Sequence, residues 1–288
     1  MKKYFSLVLF AHSVFALPFA LIGFFLGVTT TENPFNWLLL ALVLFCMVFA
    51  RNAAMAFNRY LDRDIDARNP RTTMRDIPAG KVSANSALLF VIINCLLFIA
   101  TTWFINPLCF YLSPVALFVV LFYSYTKRFT ALCHLVLGLG LSLAPIGAYI
   151  AVTGAFNIVP IFYSFAVLFW VSGFDIIYAL QDEDFDKTEQ LHSIPAALGR
   201  RNALSLSVVL HIGAAVSVIL PILFTDFSFT YYIGVAFFCA MLIYQHLLVK
   251  PNDISKVNKA FATTNGYASV IFALCFLIDA FLRTNFRL

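Results

Sequence analysis

Residues 36–66 read NWLLLALVLFCMVFARNAAMAFNRYLDRDID, an apolar run that ends in a stripe of polar oxygens. A helix needs about 20 apolar residues to cross a bilayer's hydrocarbon core. Residues 36–57 supply them, and Asn58, Asp62 and Asp66 then follow at i, i+4 and i+8. Side chains four apart share one helical face, so the three converge. The pattern recurs further on, where the apolar stretch 158–180 runs into Asp182 and Asp186. A charged side chain costs about 2.5–3.5 kcal/mol at a bilayer centre on insertion scales. Acids gathered beside two spans therefore call for a counter-charge.

The rest of the chain fits this membrane reading. Of its 288 residues 62% are hydrophobic and 11% charged, where a soluble domain carries about 25% charged. Nine spans of about 20 residues are expected, near 5–27, 36–57, 86–105, 108–126, 131–152, 158–180, 202–224, 229–249 and 266–283. The fold class is thus all-α, a multispanning membrane protein of about nine helices. With the N-terminus inside, 17 of the 19 Lys and Arg fall in inner segments, leaving only Arg283 and Arg287 outside. That is the positive-inside pattern. It puts both acid clusters on the cytoplasmic side of a plasma (inner) membrane. The net charge of +5 then reflects topology and contact with the lipid bilayer, and no nucleic-acid partner is implied. No cleavable signal is evident at residues 1–27, so the first span is read as retained. Six cysteines stand singly in apolar stretches without CxxC and are read as free thiols.

Spans 2 and 6 point the same way, and both acid clusters open long polar inner connections, 58–84 and 181–201. Arg75-Asp76-Ile77-Pro78-Ala79-Gly80 follows the first cluster and His192-Ser193-Ile194-Pro195-Ala196 the second. These echoes describe two pseudo-repeated bundles around a central cavity, with halves at about 1–126 and 127–288 of one domain. Membrane folds often place the substrate site between such repeats.

Hard oxygen ligands of this kind suit Mg²⁺ bound together with a phosphate-bearing substrate. The candidate metal ligands are Asn58, Asp62, Asp66, Asp182 and Asp186, the four aspartates also being the candidate catalytic residues. Ordinary surface acids at solvated helix ends are the plainer alternative. The repetition of the spacing on same-side ends argues against it. Tyr123 and Lys127 end span 4 one turn apart. They could bind a diphosphate or simply anchor the span, and Arg63, Arg71 and Arg75 carry the same ambiguity. Arg51 and Asp175 each lie seven residues before an acid cluster, about 10 Å deeper on the same face. Either they pair with one another, or they line the inner pocket with Arg51 holding a substrate carboxylate. Arg128 is grouped with them on that side. His12, His134, His211 and His246 look isolated and structural. An ion-coupled transporter also sets acids between repeats, but prefers them at broken helices near the midplane. A CDP-alcohol phosphotransferase needs a DG-containing acid motif that is absent.

At these residues the chain resembles the UbiA superfamily of intramembrane aromatic prenyltransferases, whose motifs read NDxxDxxxD and DxxxD. Asn58 to Asp66 is similar to the first, with Arg59 where the family often has Asp, and Tyr178 to Asp186 to the second. The similarity extends to Arg51, Asn69-Pro70-Arg71-Thr72 through Gly80, Tyr123 to Arg128, and Ser193-Ile194-Pro195. The resemblance implies a nine-helix fold and two Mg²⁺ ions that neutralise the diphosphate of a polyprenyl diphosphate. It further implies transfer of the prenyl group to an aromatic acid acceptor in quinone biosynthesis. The long-loop sequence is most similar to the 4-hydroxybenzoate polyprenyltransferase branch. Relatives acting on 1,4-dihydroxy-6-naphthoate in menaquinone biosynthesis share a similar loop, so the acceptor stays open at this point.

Overall fold

The computed structural model describes residues 15–31 and 35–284. Lys2, Lys3, His12 and Arg287, and the start of the first expected span, lie outside them. Among the described residues there is no strand, and eight helices are long and apolar enough to cross a membrane. A shorter apolar helix, α1 (Leu17–Thr30), occupies the first expected span. The protein is an integral membrane protein.

The other helices follow in chain order. They are α2 (Trp37–Leu61), the short α3 (Arg63–Arg68), α4 (Ala84–Trp103), α5 (Pro107–Thr126) and α6 (Cys133–Thr153). Then come α7 (Ile158–Ala179), the short α8 (Glu183–Thr188), α9 (Ile194–Ile219), α10 (Phe229–Leu248) and α11 (Asn265–Thr284). A π-turn, Lys259–Thr264, leads into α11. Short links at the end away from the acids are closed by caps. Asn106 accepts from Cys109 N–H at 2.8 Å, and Asn157 from Val159 N–H at 3.0 Å. Each satisfies an amide that a helix start leaves open.

One boundary differs from its hydropathy span. The helix expected at 202–224 begins at Ile194 because Ser193 caps it and Pro195 sits in its first turn. Proline's fixed φ favours that position. The helix then breaks at Gly199, whose φ of +74° suits only a residue without Cβ. A polar segment read as loop is therefore partly helical.

α6 packs against α1 and α5 on one side and α7 on the other. At Gly138 a Cβ would lie 2.5 Å from Leu168 O of α7 and press on Ser172 Oγ. The missing side chain is what lets these helices approach. The main core gathers around α7, where Trp170 is fully buried against Phe19 and Phe238. Its indole N–H donates to Asn265 at 2.8 Å, the partner a buried Trp requires. Of the apolar stretch around α7, 56% is buried, against 11% in α2. One acid cluster therefore ends a central post, and the other ends a helix whose residues are mostly half-buried. All six cysteines are free.

Candidate functional site

Both acid clusters sit on turns of the same shape. α2 ends at Leu61, Asp62 turns with φ −87° and ψ 4°, and the six-residue α3 begins. Asp182 turns with φ −104° and ψ 5° before the six-residue α8. The helical ladder survives the first break, since Asp62 N–H reaches Asn58 O and Asp66 N–H reaches Asp62 O. The stripe of i, i+4 oxygens is thereby preserved.

The turns face one cavity of about 260 Å³. Its wall carries Asn58, Asp62 and Asp66 from the first turn, and Asp175, Asp182 and Asp186 from the second. Arg71, Arg75, Tyr123 and Lys127 stand on the same wall. Asp62, only 1% exposed, accepts Lys127 Nζ at 2.6 Å and Asn58 Nδ2 at 3.0 Å on Oδ2. Arg128 Nη2 donates to its Oδ1 at 3.0 Å. Asp66 Oδ1 pairs with Arg75 at 2.6 Å. Asp182 is gripped by Arg71 through two nitrogens, and by Asn69 Nδ2 at 3.1 Å. Burial alone would lower the pKa of Arg71, but the pair with Asp182 and the contact with Tyr178 outweigh it and raise it. Asp186 makes no salt bridge among the described residues.

Three expected residues lie elsewhere. Arg63 donates to Tyr60 O at 2.8 Å and leans toward exposed Asp64. One residue past Asp62 is about 100° around a helix, which turns it off the stripe. Arg128 is not grouped with the deeper pocket, because Ser124 O and Leu61 O hold it against Asp62. Arg51, partly buried two turns below Asn58, is not on the wall of this cavity.

Two pairings join residues that look isolated in sequence. His134 Nδ1 meets Asp175 Oδ2 at 2.6 Å, so the carboxylate considered for Arg51 is engaged by a histidine from α6. His211 and His246 also meet, Nδ1 to Nε2, at 2.8 Å. Asn69 and Glu183, which the motif stretches contain without a role, also gain partners. Asn69 ties the first loop to Asp182. Glu183 receives Lys187 and Arg200, pinning α8 beside the Gly199 kink.

The donor set fits a hard divalent cation. Four motif carboxylates share one cavity, and Asp66 Oδ2 is buried without a hydrogen-bond partner, a cost an ion would remove. Among the described residues no three His, Cys, Asp or Glu are grouped to hold an ion. Lys127, Arg71 and Arg75 engage the oxygens that an ion would need.

The UbiA prenyltransferase family pattern matches residues 16–274. The chain belongs to the UbiA prenyltransferase family. It is accordingly a prenyltransferase. The 4-hydroxybenzoate octaprenyltransferase of Tolumonas auensis is 30% identical over 223 residues, 77% of this chain and 78% of that protein. The enzyme of the same name from Nitrosospira multiformis is 31% identical over 226 residues, 78% of each. Among solved structures, a UbiA homologue from Aeropyrum pernix K1 superposes with TM-score 0.83 at 30% identity, covering 93% of this chain and 98% of that one. A UbiA homologue from Archaeoglobus fulgidus bound to GPP and Mg²⁺ gives TM-score 0.76 at 23% identity, with 96% and 99% covered. That second likeness is one of fold.

Proposed function

We propose that this UbiA-family enzyme transfers a polyprenyl group from a polyprenyl diphosphate to the ring of an aromatic acid of the 4-hydroxybenzoate type. The observation that carries this reading is the single cavity where both acid turns meet with three basic side chains, Arg71, Arg75 and Lys127. A diphosphate needs cations, and a divalent ion needs the carboxylates. Mg²⁺ held by Asn58, Asp62, Asp66, Asp182 and Asp186 would supply electrostatic stabilisation to the departing diphosphate. Arg71, Arg75 and Lys127, with Tyr123 beside them, take diphosphate oxygens as charge-assisted donors. Arg51, two turns deeper, holds the acceptor carboxylate by its planar fork. Arg63 has no place in this assignment, since it points away. The relatives named for 4-hydroxybenzoate support the acceptor class, and the distribution of basic residues supports a cytoplasmic active face.

The test is to incubate purified protein with Mg²⁺, a polyprenyl diphosphate and a panel of aromatic acids, then weigh the products. A prenylated 4-hydroxybenzoate that disappears with EDTA and returns with Mg²⁺ is expected. A product formed only from a dihydroxynaphthoate would replace the acceptor. No product from any acid would overturn the reading. For orientation, a cysteine placed at Thr188 should label only from the cytoplasmic side and one at Thr153 only from the other. The reverse pattern would invert the topology.

A further inference from the structure

Five carboxylates line the cavity, and four belong to the acid motifs. The fifth, Asp175, lies two turns below Asp182 on α7, about 10 Å further in. Asp62, Asp66 and Asp182 are each in a salt bridge with Lys or Arg, whereas the salt-bridge partner of Asp175 among the described residues is His134. The backbone N–H of Ile194 donates to His134 Nε2 at 3.3 Å. That bond makes Nε2 the acceptor and leaves the ring proton on Nδ1, directed at Asp175 Oδ2. The histidine is 3% exposed, and its approach depends on Gly138, one turn further along α6. The other oxygen of Asp175, Oδ1, accepts no hydrogen bond among the described residues, and the side chain is 23% exposed. A carboxylate oriented by a locked imidazole, with one oxygen left over on the inner cavity wall, is suited to receive a proton.

We propose that Asp175, positioned by His134, accepts the hydroxyl proton of the aromatic acceptor as the new carbon–carbon bond forms. The inference rests on the function proposed above. The allylic carbon–oxygen bond of the donor breaks, and its electron pair leaves with the diphosphate. The ring carbon beside the hydroxyl supplies the electrons of the new bond. Positive charge then reaches the ring oxygen, whose proton becomes acidic enough to pass to Asp175 Oδ1. The substituted ring carbon next loses its hydrogen as a proton to the diphosphate, and Asp175 returns its proton to the ring oxygen. The phenol is restored and Asp175 is again ionised. Asp175 is the catalytic residue in this step, and His134 a positioning residue.

The test compares parent, Asp175→Asn, His134→Leu and His134→Gln in single-turnover rates at saturating substrates. The acceptors are 4-hydroxybenzoate and analogues whose ring fluorines acidify the hydroxyl but leave a position beside it open. Asparagine can still accept from His134 but is not basic. Asp175→Asn should therefore slow 4-hydroxybenzoate about a hundredfold, the low end for a general base, while donor KM and thermal midpoint hold. The loss should shrink as the hydroxyl becomes more acidic. His134→Leu should follow the same trend, and His134→Gln, which can still donate to Asp175, should recover part of the rate. Equal losses on every acceptor, or a change in acceptor KM alone, would overturn the proton role while leaving the proposed function standing. A parent that prenylates none of these acceptors would overturn the proposed function, and this inference with it.

Discussion

The two acid turns share a backbone path but not a charge balance. The first, at the end of half-buried α2, buries Asp62 and Asp66 and matches them with Lys127, Arg128 and Arg75. The second, on the central post α7, leaves Asp182 and Asp186 partly exposed, and Asp182 draws its cation, Arg71, from the first turn's loop. Of the first turn's cations only Arg75 comes from its own loop, since Lys127 and Arg128 follow α5, so both turns draw cations from elsewhere in the chain. The turn on the best-packed helix is thus the one with fewer cations. The first turn brings compensated acids, and the second brings Asp186, which makes no salt bridge among the described residues.

Removing either lead acid should have the largest effect. Asp62→Ala and Asp182→Ala should each cut turnover on the order of a thousandfold. The comparison predicts different side effects. Asp62→Ala leaves Lys127 and Arg128 without their counter-charge and should lower the thermal midpoint on the order of 5 °C. Asp186→Ala should lose activity at an unchanged midpoint. Equal midpoints for all three proteins in a detergent melt would erase the distinction.

Arg71→Ala comes next. It strips the second turn of its borrowed cation, and charge-assisted bonds of this kind are worth about 1.5–3 kcal/mol each. Donor KM should rise ten- to a hundredfold, to order of magnitude, with acceptor KM steady. A change confined to the acceptor would mean that Arg71 serves the ring. Arg51→Leu should show the opposite split, raising acceptor KM about tenfold and sparing the donor. Equal losses for both substrates would count against Arg51 as the carboxylate holder. Arg63→Gln should be the mildest, within about twofold in both KM values, because exposed ion pairs contribute little. A large donor effect would return Arg63 to the site.

Hydropathy made the helices legible because a span's length is set by the bilayer and not by its neighbours. It failed at Ile194–Gly199, where a cap and a proline start a helical turn that the Gly199 break sets apart from the span. The acid stripes were legible because i, i+4 spacing is a local property. Arg63 stands off the cavity for a reason equally local, since one residue past Asp62 is about 100° off that stripe. Arg128 could not be assigned by spacing, since the Leu61 carbonyl that holds it belongs to another helix. The His134–Asp175 and His211–His246 contacts were illegible for the same reason: α6 and α7, and α9 and α10, must pack before these side chains meet.

The π-turn at Lys259–Thr264 bears on how this segment tolerates changes of length. The Asn265 side-chain Nδ2 donates to both Ala260 O and Phe261 O in this turn, while Phe261 packs on the Tyr178 ring with centroids 4.1 Å apart. Tyr178 OH in turn accepts Arg71 Nη1 at 2.9 Å. Deleting one residue here would restore a regular helix, yet swing Phe261 about 100° away from that ring. Such a deletion would be neutral to hydropathy and silent in span counting. Its cost would surface two contacts away, at the arginine on Asp182, so the length of this segment bears on a cavity that Phe261 does not line.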